Sequence, residues 1–298
     1  MQRKENIDAF GAASLVAFSA VLGLNQVIIK IVNEGLQPVF AAGLRSVGAV
    51  VLIFLWMRFR GHWPSFTRTA APSAILCGTL FASEFILLFL ALDLTSVART
   101  SVIFYSMPVW LVLMAHLAIP GERISGRKLL GLALALGGVG WALLDRGGNG
   151  EVSLIGDVMA LVAAISWAGI ALLTRVTQFS RIEPTMQIFW QVTVSAVILL
   201  LAAPLFGPLI RDLHAEHLAG MGFQIVVVAT AGYLFWFWLL KVYPASGVAS
   251  FSFLSPVFGV VFGWLILGEE VGFPLLGALV LVAAGLVLIN RPARLRPA

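Results

Sequence analysis

Residues 108–123 read PVWLVLMAHLAIPGER and residues 256–270 read PVFGVVFGWLILGEE. Each stretch opens on Pro-Val and an aromatic residue, runs on through apolar residues and closes on Gly-Glu. Pro108-Val109-Trp110 against Pro256-Val257-Phe258 sets an offset of 148 residues. Offsets of 146–148 also align Leu15-Val16-Ala17 and Gly23 with Leu161-Val162-Ala163 and Gly169, and Pro38 with Pro184. They set Arg45 opposite Gln191, Ala91-Leu92 opposite Leu239-Leu240, and Pro120-Gly121-Glu122-Arg123 opposite Leu267-Gly268-Glu269-Glu270. Chance produces any one of these matches; the same order throughout marks a duplication.

The duplicated unit is a set of membrane helices. The 298 residues are 60% hydrophobic and 11% charged, with a mean hydropathy of +1.00, whereas a soluble domain carries about 25% charged residues. The solvent for most of this chain is lipid. Crossing the hydrocarbon core takes about 20 apolar residues, and suitable segments fall at 9–33, 38–58, 71–93, 96–118, 127–145, 154–177, 184–206, 218–241, 244–267 and 271–290. Five lie in 1–148 and five in 149–298, taken here as the two repeats. Five is odd, so the second copy enters the membrane from the opposite side. The expected fold is therefore an all-α integral membrane protein of ten transmembrane helices in two inverted five-helix repeats. Inverted repeats characterise secondary transporters, which rock one half against the other around a midplane site. The first segment exceeds the 7–15 residues of a signal h-region and reads as a retained helix.

The basic balance, +5 net, reports topology. With the N-terminus cytoplasmic, fourteen basic residues fall inside: Arg3, Lys4, Arg58, Arg60, Arg68, Arg123, Arg127, Lys128, Arg175, Arg181, Lys241, Arg291, Arg294 and Arg296. Arg99, Arg146 and Arg211 fall outside, and Lys30 and Arg45 lie within helices, which accounts for all nineteen. Glu34, Asp93, Asp145, Glu151, Asp157, Asp212, Glu216, Glu269 and Glu270 gather outside or at its edge. This asymmetry predicts a multi-pass inner-membrane protein with both termini cytoplasmic, and no nucleic-acid partner. The single cysteine, Cys77, excludes an internal disulfide framework and reads as a packing residue. No phosphate-binding G-x-x-x-x-G-K-[ST] loop and no H-E-x-x-H cluster occurs, so neither a cofactor nor a metal is expected. His214 and His217 flank Glu216 in what reads as a solvated loop.

With its marks on the page, the chain resembles the drug/metabolite transporter superfamily of EamA type over essentially its whole length. The marks are Pro38…Arg45, Ala91-Leu92 with Thr95-Ser96-Val97-Ala98, and Pro108-Val109 with Gly121-Glu122-Arg123. They return as Pro244-Ala245-Ser246, Ser255-Pro256-Val257 and Gly268-Glu269-Glu270. Within that superfamily it is most similar to bacterial exporters of amino acids, aromatic ones included. Gln191 stands where many second halves carry an arginine. The resemblance implies that helices 1, 3, 4, 6, 8 and 9 enclose the path while 5 and 10 are scaffold. It also implies a small-molecule substrate, with no oligomer required. Carriers of nucleotide sugars or quaternary cations share this architecture, and a pore would share its hydropathy.

Within the segments, a few residues carry chemistry. Glu84 lies thirteen residues beyond Ala71, about 20 Å from the inner end at 1.5 Å per residue. An ionisable group at that depth is a functional candidate. It either receives a substrate ammonium or titrates during transport, or else it is paired structurally with Arg45, itself about 10 Å below the outer end. Lys30, nearer the interface, is expected to snorkel. Phe81, Phe85, Tyr105, Trp167 and Tyr233 reach mid-membrane depth, where Tyr and Trp are unusual because they favour the interfaces. They, with Glu84, Asn25 and Gln191, are the candidate substrate-binding residues. Gln26 and Trp190 are further amide and indole donors, placed with Asn25 and Gln191 either on a substrate carboxylate, in an outer vestibule or between helices. Pro108 and Pro256 each free a carbonyl in mid-helix and are the candidate gating kinks. Gly259 and Gly263 permit a close approach, expected within the chain.

Overall fold

The computed structural model describes residues 4, 6–65, 68–122, 124–145, 153–249 and 251–290, the side chains of 245 and 246 excepted. The expected boundary at 148/149, Arg123 of the first Gly-Glu motif and the basic residues after 290 lie outside these. The first half comprises α1 (Ala9–Gly35), α2 (Pro38–Phe59), α3 (Ala71–Leu94), α4 (Val97–Phe104), α5 (Met107–Ala118) and α6 (Gly126–Leu144). The second comprises α7 (Leu154–Val176), α8 (Pro184–Ala202), α9 (Ala215–Phe223), a π-helix (Gln224–Gly232), α10 (Tyr233–Val242), α11 (Ala245–Ala249), α12 (Leu254–Leu267) and α13 (Phe273–Asn290). Taken end to end these are ten spans long and apolar enough to cross a membrane. The fourth joins α4 to α5, the eighth α9 to α10, and the ninth α11 to α12. The architecture is two inverted five-helix repeats, and among the described residues it contains no strand, only an isolated bridge between Leu36 and Ile210.

Local chemistry sets the helix ends. Pro38 and Pro184 stand in the first turns of α2 and α8, where a missing N–H costs nothing. Ser96, Ser125 and Ser153 cap α4, α6 and α7 through their hydroxyls, satisfying amides the helix leaves orphaned. Gly121 (φ 91°) and Gly268 (φ 66°) end the fourth and ninth spans in the left-handed region, which a Cβ disfavours. This explains why glycine stands in both copies of Gly-Glu.

Two spans are broken at matched places, and this corrects the reading of the prolines. The fourth turns at Tyr105 and Ser106; the ninth turns at Phe251–Phe253. Pro108 and Pro256 do not sit in mid-helix but in the first turn of the helix that follows each break. Tighter bonds stitch the turns: Ser106 N to Ile103 O at 3.2 Å, Ser252 N to Ala249 O at 3.1 Å and Leu254 N to Phe251 O at 3.0 Å. The hydroxyl of Ser106 donates to Ile103 O at 2.6 Å. The bend thus lies ahead of each proline, which starts a new helix instead of kinking an old one.

The eighth span departs further, winding as a π-helix over Gln224–Gly232. Thr230 Oγ1 follows the wide ladder, donating to Ile225 O at 2.8 Å. Its counterpart in the first half, α3, is regular. The repeat offset grows from 146 to 148 across this region, and a π stretch is where a helix accommodates extra residues.

Packing follows the duplication. α6 lies along α13, α1 along α12, and α4 and α5 along α7. Small residues let backbones meet, as expected where lipid removes the hydrophobic drive between helices. A Cβ on Gly131 would stand 2.8 Å from Gly285 O, and one on Gly23 2.7 Å from Gly259 N. Gly259 faces Ser101 and Gly263 faces Val97, so that glycine pair serves contacts within the chain. At the centre α2 crosses α8, where Ser46 and Ser195 hydroxyls meet at 3.2 Å.

Candidate functional site

Three helices bring the first cluster together. α3 presents Phe81, Glu84 and Phe85, which share a face because residues three and four apart are neighbours. α2 supplies Arg45 and α10 supplies Tyr233. The Arg45 guanidinium lies 4.2 Å from the Phe85 ring centroid, and its Nη2 reaches the Tyr233 hydroxyl at 3.5 Å. Phe81 stands 4.7 Å from Phe85 and 6.5 Å from Tyr233, centroid to centroid. Glu84 is 4% exposed and Arg45 5%. No direct ion pair joins Arg45 and Glu84, and Glu84 Oε2 and Arg45 Nε are both buried without a hydrogen-bond partner. The alternative of a structural pair in contact is therefore not what the side chains form.

A second cluster lies on α1, α4 and α7. Phe104 stacks on Trp167 at 5.1 Å, and Tyr105 meets the same indole edge-on at 6.3 Å. The Tyr105 hydroxyl donates to Leu22 O at 3.1 Å. Asn25 Oδ1 and Gln26 Oε1 are buried without partners. Both clusters belong to one apolar core, in which Trp167, Tyr233 and Phe237 keep partial exposure. Gln191 is buried on α8 but bonds to none of the other candidates. Trp190 is no vestibule residue: it donates to Ser65 O at 3.0 Å, in the loop leaving α2 on the face where the chain starts. A groove of about 550 Å³ beside Trp264 and Glu269 lies at the periphery, away from both clusters.

The ends of the bundle were less legible. On the face opposite the N-terminus, Lys30 does not snorkel; its ammonium donates to Leu92 O at 3.3 Å and Thr95 O at 3.0 Å, capping the last carbonyls of α3 as a cation suits a helix C-terminus. Asn33 Nδ2 donates to Phe89 O at 2.9 Å. Arg211 pairs with Asp93 at 2.7 Å and reaches Asn33 O at 2.8 Å. His217 is buried rather than in a solvated loop: it sits in the first turn of α9 over Gly35, and its Nδ1 accepts from His214 N. The largest omission is Arg99, which grips Asp157 at 2.6 Å with Asp145 at 3.8 Å, the pair being 5% and 0% exposed. Opposite charges expected on one face at the starts of segments 4 and 6 were the available signal.

The duplication invites comparison of the contacts at the two ends of the bundle. Thr95 and Arg99 bind Asp157 on one face; at the matching place on the other, Tyr243 donates to Asp8 at 2.8 Å and Lys4 pairs with Asp8. Both clamps are engaged at once. Glu269, by contrast, accepts from Val97 N at 2.6 Å and Ala98 N at 2.9 Å, holding the ninth span's end against the start of the fourth. Its counterpart Glu122 pairs with Arg175. α1 packs on α3 near the face of Glu269. On the face opposite the N-terminus, Lys30, Arg211 and Glu269 thus join distant parts of the chain.

Residues 9–144 and 154–291 each match the sequence profile of the EamA-like transporter family. The chain is 27% identical over 301 residues to a probable amino-acid metabolite efflux pump of Escherichia coli (strain K12), covering 97% of this chain and 95% of that one. It is 29% identical to the protein of that name in Salmonella typhimurium, with the same coverage. A solved crystal structure shares the fold at 22% identity with a TM-score of 0.65, covering 93% of this chain and 96% of that one.

Proposed function

We propose that this chain, which belongs to the EamA-like transporter family, exports amino acids or similar small amphipathic metabolites by alternating access. It is a multi-pass inner-membrane protein, a transporter rather than an enzyme. The observation that carries the reading is Glu84: a carboxylate buried near mid-membrane, uncancelled by direct contact and walled by Phe81, Phe85 and Tyr233. Burying such a charge is expensive unless a partner arrives, and a substrate ammonium is a partner that can come and go. The aromatic rings give an apolar side chain a surface on either side of it. The second cluster, Tyr105 and Trp167 with Asn25 and Gln26, extends the same lining, and the breaks ahead of Pro108 and Pro256 are the bending points of the gates. Gln191 contributes from α8 once the halves rearrange.

The fourteen-to-three distribution of basic residues places the N-terminal face in the cytoplasm. Lys30, Arg211 and Glu269 then close the outside, which suits an exporter that takes its cargo from the cell interior. The test is uptake and counterflow of neutral and aromatic amino acids in proteoliposomes. Glu84→Gln should weaken apparent substrate affinity at least tenfold with folding retained. An absence of movement for every amino acid, with a working control carrier, ends the substrate reading; flux without counterflow ends the carrier reading.

A further inference from the structure

We infer that Arg45 is the second pole of this site and receives the carboxylate of a zwitterion whose ammonium rests on Glu84. The inference rests on the reading of Glu84 above and names the class of cargo more narrowly. The other charges buried in the spans have direct partners: Arg99 has Asp157, and Lys30 has the Leu92 and Thr95 carbonyls. Arg45 has only the Tyr233 hydroxyl, at 3.5 Å, and no ion pair joins it to Glu84. Arg45 lies over the ring of Phe85, the residue next to Glu84 on α3, yet Arg45 and Glu84 each keep a buried atom without a partner, Nε on the one and Oε2 on the other.

A structural ion pair repays its desolvation only by direct contact with its lone pairs and protons satisfied. Here Arg45 is drawn aside, its face on Phe85 and one Nη at the edge of reach of Tyr233. That leaves the Nε edge, and a guanidinium edge matches a carboxylate bidentately where an ammonium cannot. With Glu84 ionised, it and Arg45 sum to zero net charge. A zwitterion leaves that sum unchanged, whereas a simple amine or a simple carboxylate adds a net charge to a low-dielectric site and pays for it. Phe81, Phe85 and Tyr233 line the same space, so the side chain taken best is apolar or aromatic.

The probes are L-phenylalanine, phenylalaninamide, 2-phenylethylamine and 3-phenylpropionate, measured by binding calorimetry in detergent and by counterflow in proteoliposomes. For wild type we expect L-phenylalanine to exceed each of the others at least tenfold. Arg45→Gln should lose L-phenylalanine while 2-phenylethylamine gains relative to it; Glu84→Gln should shift preference toward 3-phenylpropionate. Arg45→Lys, which keeps the charge and loses the fork, should fall between. If wild type binds 2-phenylethylamine or the amide as well as L-phenylalanine, Arg45 has no such role, although the reading of Glu84 survives. If wild type binds none of the four, both readings fail. Should Arg45→Gln not fold, the wild-type panel alone decides.

Discussion

Replacing Glu269 by alanine removes the acceptor of the Val97 and Ala98 amides, held at 2.6 and 2.9 Å. Both residues are fully buried, so the freed N–H groups have no water to turn to while the bundle stays closed on that face. Hydrogen bonds to a charged group are worth about 1.5–3 kcal/mol each. The carboxylate itself is partly exposed, so about 2 kcal/mol for the pair is a fair figure after solvent competes. The bonds belong to the closed arrangement only, so their loss tilts the equilibrium toward outside-open by about 30-fold, at about 1.4 kcal/mol per factor of ten. Leu88, buried one turn beyond Glu84 on α3, is the reporter. In a Cys77→Ser background, Leu88→Cys should react with an impermeant maleimide from outside about 30 times faster when Glu269→Ala is added, and by an intermediate factor with Glu269→Gln. Unchanged labelling together with a lowered Tm would refute the argument, making Glu269 a static cap.

Glu122→Ala removes the equivalent acceptor on the other face, so it should slow the same labelling by favouring the present arrangement; faster labelling would sink the equivalence of the two Gly-Glu copies. Arg99→Gln leaves Asp157 buried and unpaired, which costs about 3–5 kcal/mol, and thermal unfolding in detergent should record it. A change in transport at unaltered Tm would show that this clamp moves with the cycle. Asp8 lies just outside the first span, and its carboxyl is held far below the ordinary 3.8 by Lys4 first, then by the Gly11 amide and the Tyr243 hydroxyl. A depressed value means the stabilisation is complete above the ordinary range and disappears only as pH falls through the lowered one. The Tm difference between wild type and Asp8→Asn should therefore stay constant from about pH 7 to about pH 5. A difference that shrinks across that window contradicts the clamp.

What could be read in advance follows the range of the physics involved. Spans such as 38–58 and 71–93 reappear as Pro38–Phe59 and Ala71–Leu94, because exclusion of unpaired backbone from lipid acts on each segment separately. Of the candidate residues, Phe81, Glu84, Phe85 and Tyr233 could be grouped by depth. That Arg45 leans on Phe85 instead of gripping Glu84 could not, since it depends on where α10 delivers Tyr233 after nine π-helical residues. No periodicity announces a π-helix. His217 was misjudged because its burial depends on a glycine of a distant helix, Gly35.

From the residues alone follow the solvent of this protein, its ten spans and the inversion of its halves, through the apolar content of each segment and an offset that repeats. Tertiary structure alone decided which of two equivalent sets of contacts is made. Glu269 and Glu122 occupy matching places, yet one caps a helix and the other pairs with Arg175. The inverted repeats supply similar residues to both faces, and the packing around each decides what it bonds to.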